Sequence, residues 1–176
     1  MIHTARMTLV AATLEHVEAE LAGRLGGLLG VEVPAGWPPG EYDRDAQDFF
    51  RERLREEGPA AVGWYGWYAL LPGSEGDALV GAGGYLGPPD AEGTVEIGYS
   101  ILPEWEGRGL ASELAAALAD RALALPSVAR VIAHTDAGNA GSRAVLERGG
   151  FRVAGDGPIP GSLRYERRKE VLSPKS

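Results

Sequence analysis

Two glycines in Glu106-Gly107-Arg108-Gly109-Leu110-Ala111 sit where an apolar run gives way to a helical pattern. The run before them, Thr94 to Leu102, reads as a strand. After them Leu110, Leu114, Leu118 and Ala122 recur at the spacing of one helical face, in an Ala/Leu-rich stretch that reaches Leu125. A strand that turns through glycines into a helix leaves the first helical N–H groups without partners. Those donors and the positive end of the helix dipole make a place for a phosphate-type anion. A Cβ at either glycine would hold the anion away from the backbone. A pyrophosphate-bearing ligand is therefore implied, although Gly-x-Gly before a helix also serves as a plain tight turn.

A second segment decides between those uses. Val128 to Thr135 is a β-branched run, Asp136 to Asn139 a turn and cap, and Ser142 to Glu147 a short helix. Gly149-Gly150 ends that helix, and Phe151-Arg152-Val153 reads as the next strand. Together the two segments resemble the GNAT acetyltransferase superfamily. Glu106-x-x-Gly109-x-Ala111 is similar to its acetyl-CoA pyrophosphate loop, usually written Gln/Arg-x-x-Gly-x-Gly/Ala. Asn139-x-x-Ser142, Val145-Leu146-Glu147 and Gly150-Phe151 carry the rest of the likeness. Glu96-Ile97-Gly98-Tyr99 resembles the branch that holds the ribosomal-protein N-terminal acetyltransferases. The resemblance is specific over residues 78 to 155 and looser outside.

The resemblance implies an acetyl-CoA-dependent N-acetyltransferase that moves the acetyl group directly to a primary amine in a ternary complex. The amine is a protein N-terminal α-amine or a small molecule. A noncatalytic acyl-CoA-binding or sensing domain is the alternative. The family pattern places the pyrophosphate against Glu106, Gly107, Arg108, Gly109, Leu110, Ala111 and Ser112. It places the acetyl-pantetheine arm beside Ser100, Ile101 and Leu102, across from Val131 to His134, with Asn139 and Ser142 also in contact. Glu106 departs from the usual Gln or Arg and would repel the pyrophosphate unless it turns away or meets Arg108.

Acetyl transfer needs a neutral amine, a stabilised oxyanion and a proton for the thiolate. In the family a backbone N–H of the fourth strand, near Ile101 here, faces the oxyanion. Glu96, an acid in an apolar strand, is the candidate base, directly or through water, and His134 is the alternative. Freeing a lysine-type amine at pH 7 costs about 4.6 kcal/mol, an α-amine only about 1 kcal/mol. A glutamate therefore suits an α-amine better. Many relatives carry a thiolate-protonating tyrosine in the helix after the Asn, and this chain has none there. In the ribosomal-protein branch a serine matching Ser142 is the proposed donor. Trp37-Pro38-Pro39 and Gly157-Pro158-Ile159-Pro160 correspond to the acceptor pocket, while Trp64, Tyr65, Trp67 and Tyr68 read as sheet core.

The composition is compatible with this picture and removes others. The 176 residues suit one domain, expected over 1–170 with a polar tail at 171–176. With no cysteine there is no disulfide, thiol nucleophile or thiolate metal site, and three scattered histidines give no metal-ligand spacing. No apolar run approaches the ~20 residues of a membrane span, and no signal-type N-terminus is seen, so the cytoplasm is the expected location. A net charge of −8 argues against a nucleic-acid partner and suits a cationic acceptor. It opposes coenzyme A unless charges segregate, for which Arg108, Arg143 and Arg148 are placed. A homodimer is compatible with the family; no residue pattern marks an interface.

The elements that must position these residues follow from periodicity. Arg6 to Val10 is a strand, Thr13 to Leu29 an amphipathic helix capped by Thr13, and Asp43 to Glu57 a second helix. Ala61 to Leu71 and Ala78 to Tyr85 form an antiparallel pair, and Ser162 to Lys169 is the last strand. The order βααβββαβαββ is mixed α/β. The family resemblance adds a mostly antiparallel, twisted sheet of about seven strands, splayed between the fourth and fifth, with helices on both faces.

Overall fold

The apolar runs assemble into a single sheet of eight strands in the computed structural model, which describes residues 1–169. The polar tail expected at 171–176 lies outside the described residues. The strands are β1 (Ile2–His3), β2 (Thr8–Ala11), β3 (Gly66–Leu71), β4 (Ala78–Tyr85), β5 (Thr94–Ile101), β6 (Arg130–Asp136), β7 (Arg152–Asp156) and β8 (Ser162–Arg168). They lie in the order β1-β2-β3-β4-β5-β6-β8-β7. Every neighbouring pair is antiparallel except β5 and β6, which α4 (Leu110–Leu123) joins as a crossover. The mixed α/β reading holds, and the strand beyond the expected seven is the two-residue β1.

The expected first helix divides in two. Thr13 does cap it: its hydroxyl accepts from the His16 N–H, and the His16 ring accepts from the Thr13 N–H in return. But α1 (Leu14–Leu21) stops before Gly23, whose φ of 75° is left-handed, and α2 (Leu25–Leu29) restarts beyond it. The leucine spacing runs through the break because Leu25 still reaches the core, whereas Leu28 is exposed. In α3 (Arg44–Glu57) Phe50 and Leu54 are buried, Phe49 is turned outward, and Gln47 is buried in its place. The aromatic strand begins later than expected, at Gly66, because Pro59–Ala61 form a 3₁₀ turn.

Two cores flank the sheet. On one face α4 buries Leu110, Leu114 and Leu118 against β5 and β6. Each such leucine contributes roughly 2 kcal/mol, so packing holds this helix in place although no side chain caps its start. On the other face α1, α2 and α3 cover Tyr65, Tyr68, Leu70 and Leu79. At its centre Glu20 of α1 accepts from Trp37 Nε1 at 2.7 Å, Tyr42 Oη at 2.7 Å and Tyr68 Oη at 2.8 Å. One carboxylate thereby ties the α2–α3 loop to β3.

Burial pushes the Glu20 pKa up, against the pull of the hydrogen bonds from Tyr42, Trp37 and Tyr68. The folded chain thus holds this proton more tightly than the unfolded chain. The resulting stability is present below about 4.5 and is lost as pH rises through the folded value. Glu20→Gln, neutral throughout, lacks that slope. Urea unfolding at about pH 4.5 and about pH 7 should show wild type losing stability relative to the variant as pH rises. A constant difference would contradict the assignment.

Candidate functional site

The pairing of β5 with β6 lasts only for Thr94–Arg130, Val95–Val131 and Glu96–Ile132. Beyond Glu96, β5 pairs with β4 alone and β6 with β8 alone. Leu102 N–H donates to the Val80 carbonyl, and the Glu96 carbonyl accepts from Leu86 N–H. By the alternation of an antiparallel ladder, even-numbered β5 residues bond to β4. The odd-numbered ones, Ile97, Tyr99 and Ile101, turn their N–H and C=O groups toward the gap. This is the expected splay between the fourth and fifth strands, now counted as β5 and β6.

A groove of about 730 Å³ runs through that gap to the start of α4. Ser100, Ile101, Glu106, Gly107, Gly109, Leu110, Ala111 and Ser112 line it, as do His134, Asn139 and Ser142. Gly107 and Gly109 have φ of 76° and 79°, and Gly109 is the N-cap of α4 with no side chain closing the helix start. The first N–H groups of α4 therefore remain available, and the buried Ser112 Oγ beside them has no partner among the described residues. An orphaned hydroxyl and an uncapped helix start fit the pyrophosphate of a coenzyme. Arg6 braces this turn: its Nη1 donates to the Arg108 carbonyl at 2.7 Å while its Nε pairs with Glu113 at 2.9 Å. At Glu113 burial alone would raise the pKa, but hydrogen bonds from Thr4 and Arg6 and the Arg6 charge together lower it.

Two expected groove residues lie elsewhere. Leu102 is fully buried, and its N–H is committed to Val80. Arg108 stacks on Trp105, 4.7 Å from the ring centroid, because the left-handed glycines on either side turn it outward. It forms no ion pair with Glu106, which stays on the groove wall. Of the three arginines expected to gather positive charge, only Arg148 lines the groove. Arg143 instead bonds the Tyr165 hydroxyl and the Ala137 carbonyl.

Glu96 and His134, alternatives for the base, are in contact: Nδ1 of the imidazole lies 3.1 Å from Glu96 Oε2. Register explains the meeting, since Glu96 stands opposite Ile132 and His134 is two residues further along the same face. Asn139 caps α5 (Ala140–Arg148) by accepting from Ser142 N–H at 3.0 Å. Facing Ser142 is Tyr99, whose hydroxyl is buried and has no hydrogen bond of good geometry among the described residues. Burial raises its pKa and the Ser142 hydroxyl offsets part of that rise, so the phenol stays protonated. In the sequence Tyr99 stands out only as part of a family motif; the alternation of β5 is the available sign that it faces α5.

A second cavity of about 460 Å³ opens on the other side of Glu96 and His134. Pro158, Ile159 and Pro160 line it as expected. Trp37 to Pro39 do not: the Trp37 indole is turned to Glu20, and Glu41 and Tyr42 take that wall. None of Trp64, Tyr65, Trp67 and Tyr68 lines either cavity, in keeping with a core role.

Comparison with known proteins agrees with this geometry. Residues 6–152 match the family model described as an acetyltransferase (GNAT) domain, and the chain belongs to that family. It is 32% identical over 123 residues to an uncharacterized N-acetyltransferase, YjdG, of Bacillus subtilis, covering 70% of this chain and 71% of that one. Its fold is similar to that of YncA, a putative acetyltransferase from Salmonella typhimurium solved with acetyl-CoA (TM-score 0.60, 19% identity, 98% and 99% of the two chains covered). It is also similar to AAC(6')-Ib in complex with ribostamycin and coenzyme A (TM-score 0.63, 17% identity, 93% and 94% covered). The chain is an N-acetyltransferase of the GNAT type.

Gly109→Val places a branched side chain at a left-handed residue, with its Cβ 3.3 Å from Arg6 Nη2. Calorimetry should show the acetyl-CoA dissociation constant rise at least about tenfold. Ser112→Ala, which leaves the backbone alone, should raise it about threefold or more. Unchanged affinity in both would remove this turn from the binding site.

Proposed function

We propose that the protein transfers acetyl from acetyl-CoA directly to a primary amine, with both substrates bound at once. The amine is a protein N-terminal α-amine or a small-molecule amine, and the Glu96-Ile97-Gly98-Tyr99 form favours the ribosomal-protein N-terminal branch. The observation that carries this reading is a shared wall: Ile97 to Ser100 and His134 to Asp136 line both cavities. A thioester in one and an amine in the other meet beside Glu96 and His134.

The residues divide the chemistry. An ionised carboxylate only accepts hydrogen bonds, so Glu96 holds the proton of His134 on Nδ1 and leaves the Nε2 lone pair free. Nε2 takes the amine proton as nitrogen attacks, and Glu96 steadies the imidazolium that forms. The Ile101 N–H, facing the gap, meets the developing oxyanion. Ser142 gives its proton to the departing thiolate. Tyr99, held protonated behind it, is placed to return one.

The pair is expected to act as a unit. Glu96→Gln and His134→Gln should each lower kcat on the order of 10²-fold, with acetyl-CoA affinity unchanged. The double variant should fall no further than the worse single one. Losses that multiply would mean separate roles. Ser142→Ala should slow thiol release in a single turnover, and full turnover in all four variants would refute the assignments.

A further inference from the structure

The charges around the acceptor cavity narrow its substrate, an inference that rests on the acetyltransferase reading above. Glu41, Glu96 and Asp136 bring three carboxylates to the wall, together with the imidazole of His134, and no lysine or arginine among the described residues lines it. Asp136 is fixed there by accepting the Gly138 N–H at 2.7 Å. Glu41 lies near enough to Tyr99 for its charge to help hold that phenol up. The rest of the wall is mainly apolar, from Tyr42, Phe50, Leu86 and Ile159 over a floor of Ala82 to Gly84, with the hydroxyl residues Ser100, Thr135 and Ser162 along one side. Leu86 is 50% and Ile159 70% exposed, so apolar surface stands open at the rim.

We propose that the acceptor is a primary amine on a compact apolar body with no acidic group beside the amine. An apolar first residue in amide linkage has this chemistry, as does a simple alkylamine; a free amino acid does not. As an ammonium ion the amine is drawn toward the carboxylates, and its body covers the apolar wall. A free amino acid would carry its own carboxylate into the same cavity, among three others and with no lysine or arginine among the described lining residues to pair it. The cavity of about 460 Å³ lies within the range of small-ligand sites and holds the amine together with its apolar body. Wherever it passed the carboxylates, a second ammonium would lie against Tyr42, Phe50, Leu86 or Ile159, so a long polycation gains less than an apolar body.

The test measures acetyl-CoA-dependent thiol release at saturating acetyl-CoA, each rate referred to the neutral fraction of its amine. Leucinamide should exceed free leucine at least about tenfold in kcat/KM, and 3-methylbutylamine should stay near the amide. The peptide Leu-Ala-Ala-amide separates the sources: a further gain points to polypeptide N-termini, no gain to small amines, and either agrees with the class. Glu41→Lys brings a cation to the rim and should narrow the amide-to-acid ratio at least about fivefold. Using a ratio cancels any effect on the coenzyme groove, which Glu41 also lines. Free leucine matching its amide, spermidine surpassing both, or an unchanged ratio in Glu41→Lys would overturn the inference and leave an acetyltransferase. Thiol release that no amine increases would overturn both.

Discussion

Everything at the site depends on β5 and β6 parting after three paired positions. Were the ladder to continue, the odd-numbered backbone groups of Ile97 to Ile101 would be closed by β6 and no gap would exist. Instead the sheet behaves as two half-sheets with a short common seam. Each half is held by its own antiparallel pairing, β5 by β4 and β6 by β8. The seam also brings the two candidate bases together, because Glu96 belongs to its last pair and His134 stands just past it. The two side chains meet where the strands begin to separate, between the two cavities.

Electrostatics follow from the same geometry. The chain carries a net charge of −8, yet its proposed coenzyme is a polyanion. Of the arginines near the loop only Arg148 lines the groove. The proposed anion site is therefore made mainly of backbone donors at an uncapped helix start, held in place by Arg6 on the Arg108 carbonyl. Glu41 and Asp136 line both cavities, Glu96 lines only the smaller one and Glu106 only the groove. The two cavities differ less in their carboxylates than in the uncapped helix start and Arg148, which belong to the groove alone.

The glycine turn was legible in the sequence because its chemistry is local: two glycines, a strand before and a helical face after. The splay and the coenzyme groove came from family resemblance, and the ladder shows which amides face the gap. Single residues were harder to place. Arg108 is adjacent to the loop in sequence but is turned onto Trp105 by the glycines around it. Glu96 and His134 were both visible, while their contact depends on a register between strands 38 positions apart. The Glu20 cluster was not legible, since its donors come from separate segments that only the tertiary packing brings together. Hydrophobic spacing likewise carried through Gly23 and hid the break in the first helix.

The most direct measurement is amide hydrogen exchange resolved to single residues, with and without acetyl-CoA. If the pantetheine arm fills the gap as an added strand, exchange slows at Ile97, Tyr99 and Ile101 and at the first amides of α4, while β2 and β3 are unchanged. Slowing at the helix start alone, with the three β5 amides unaffected, would contradict the account.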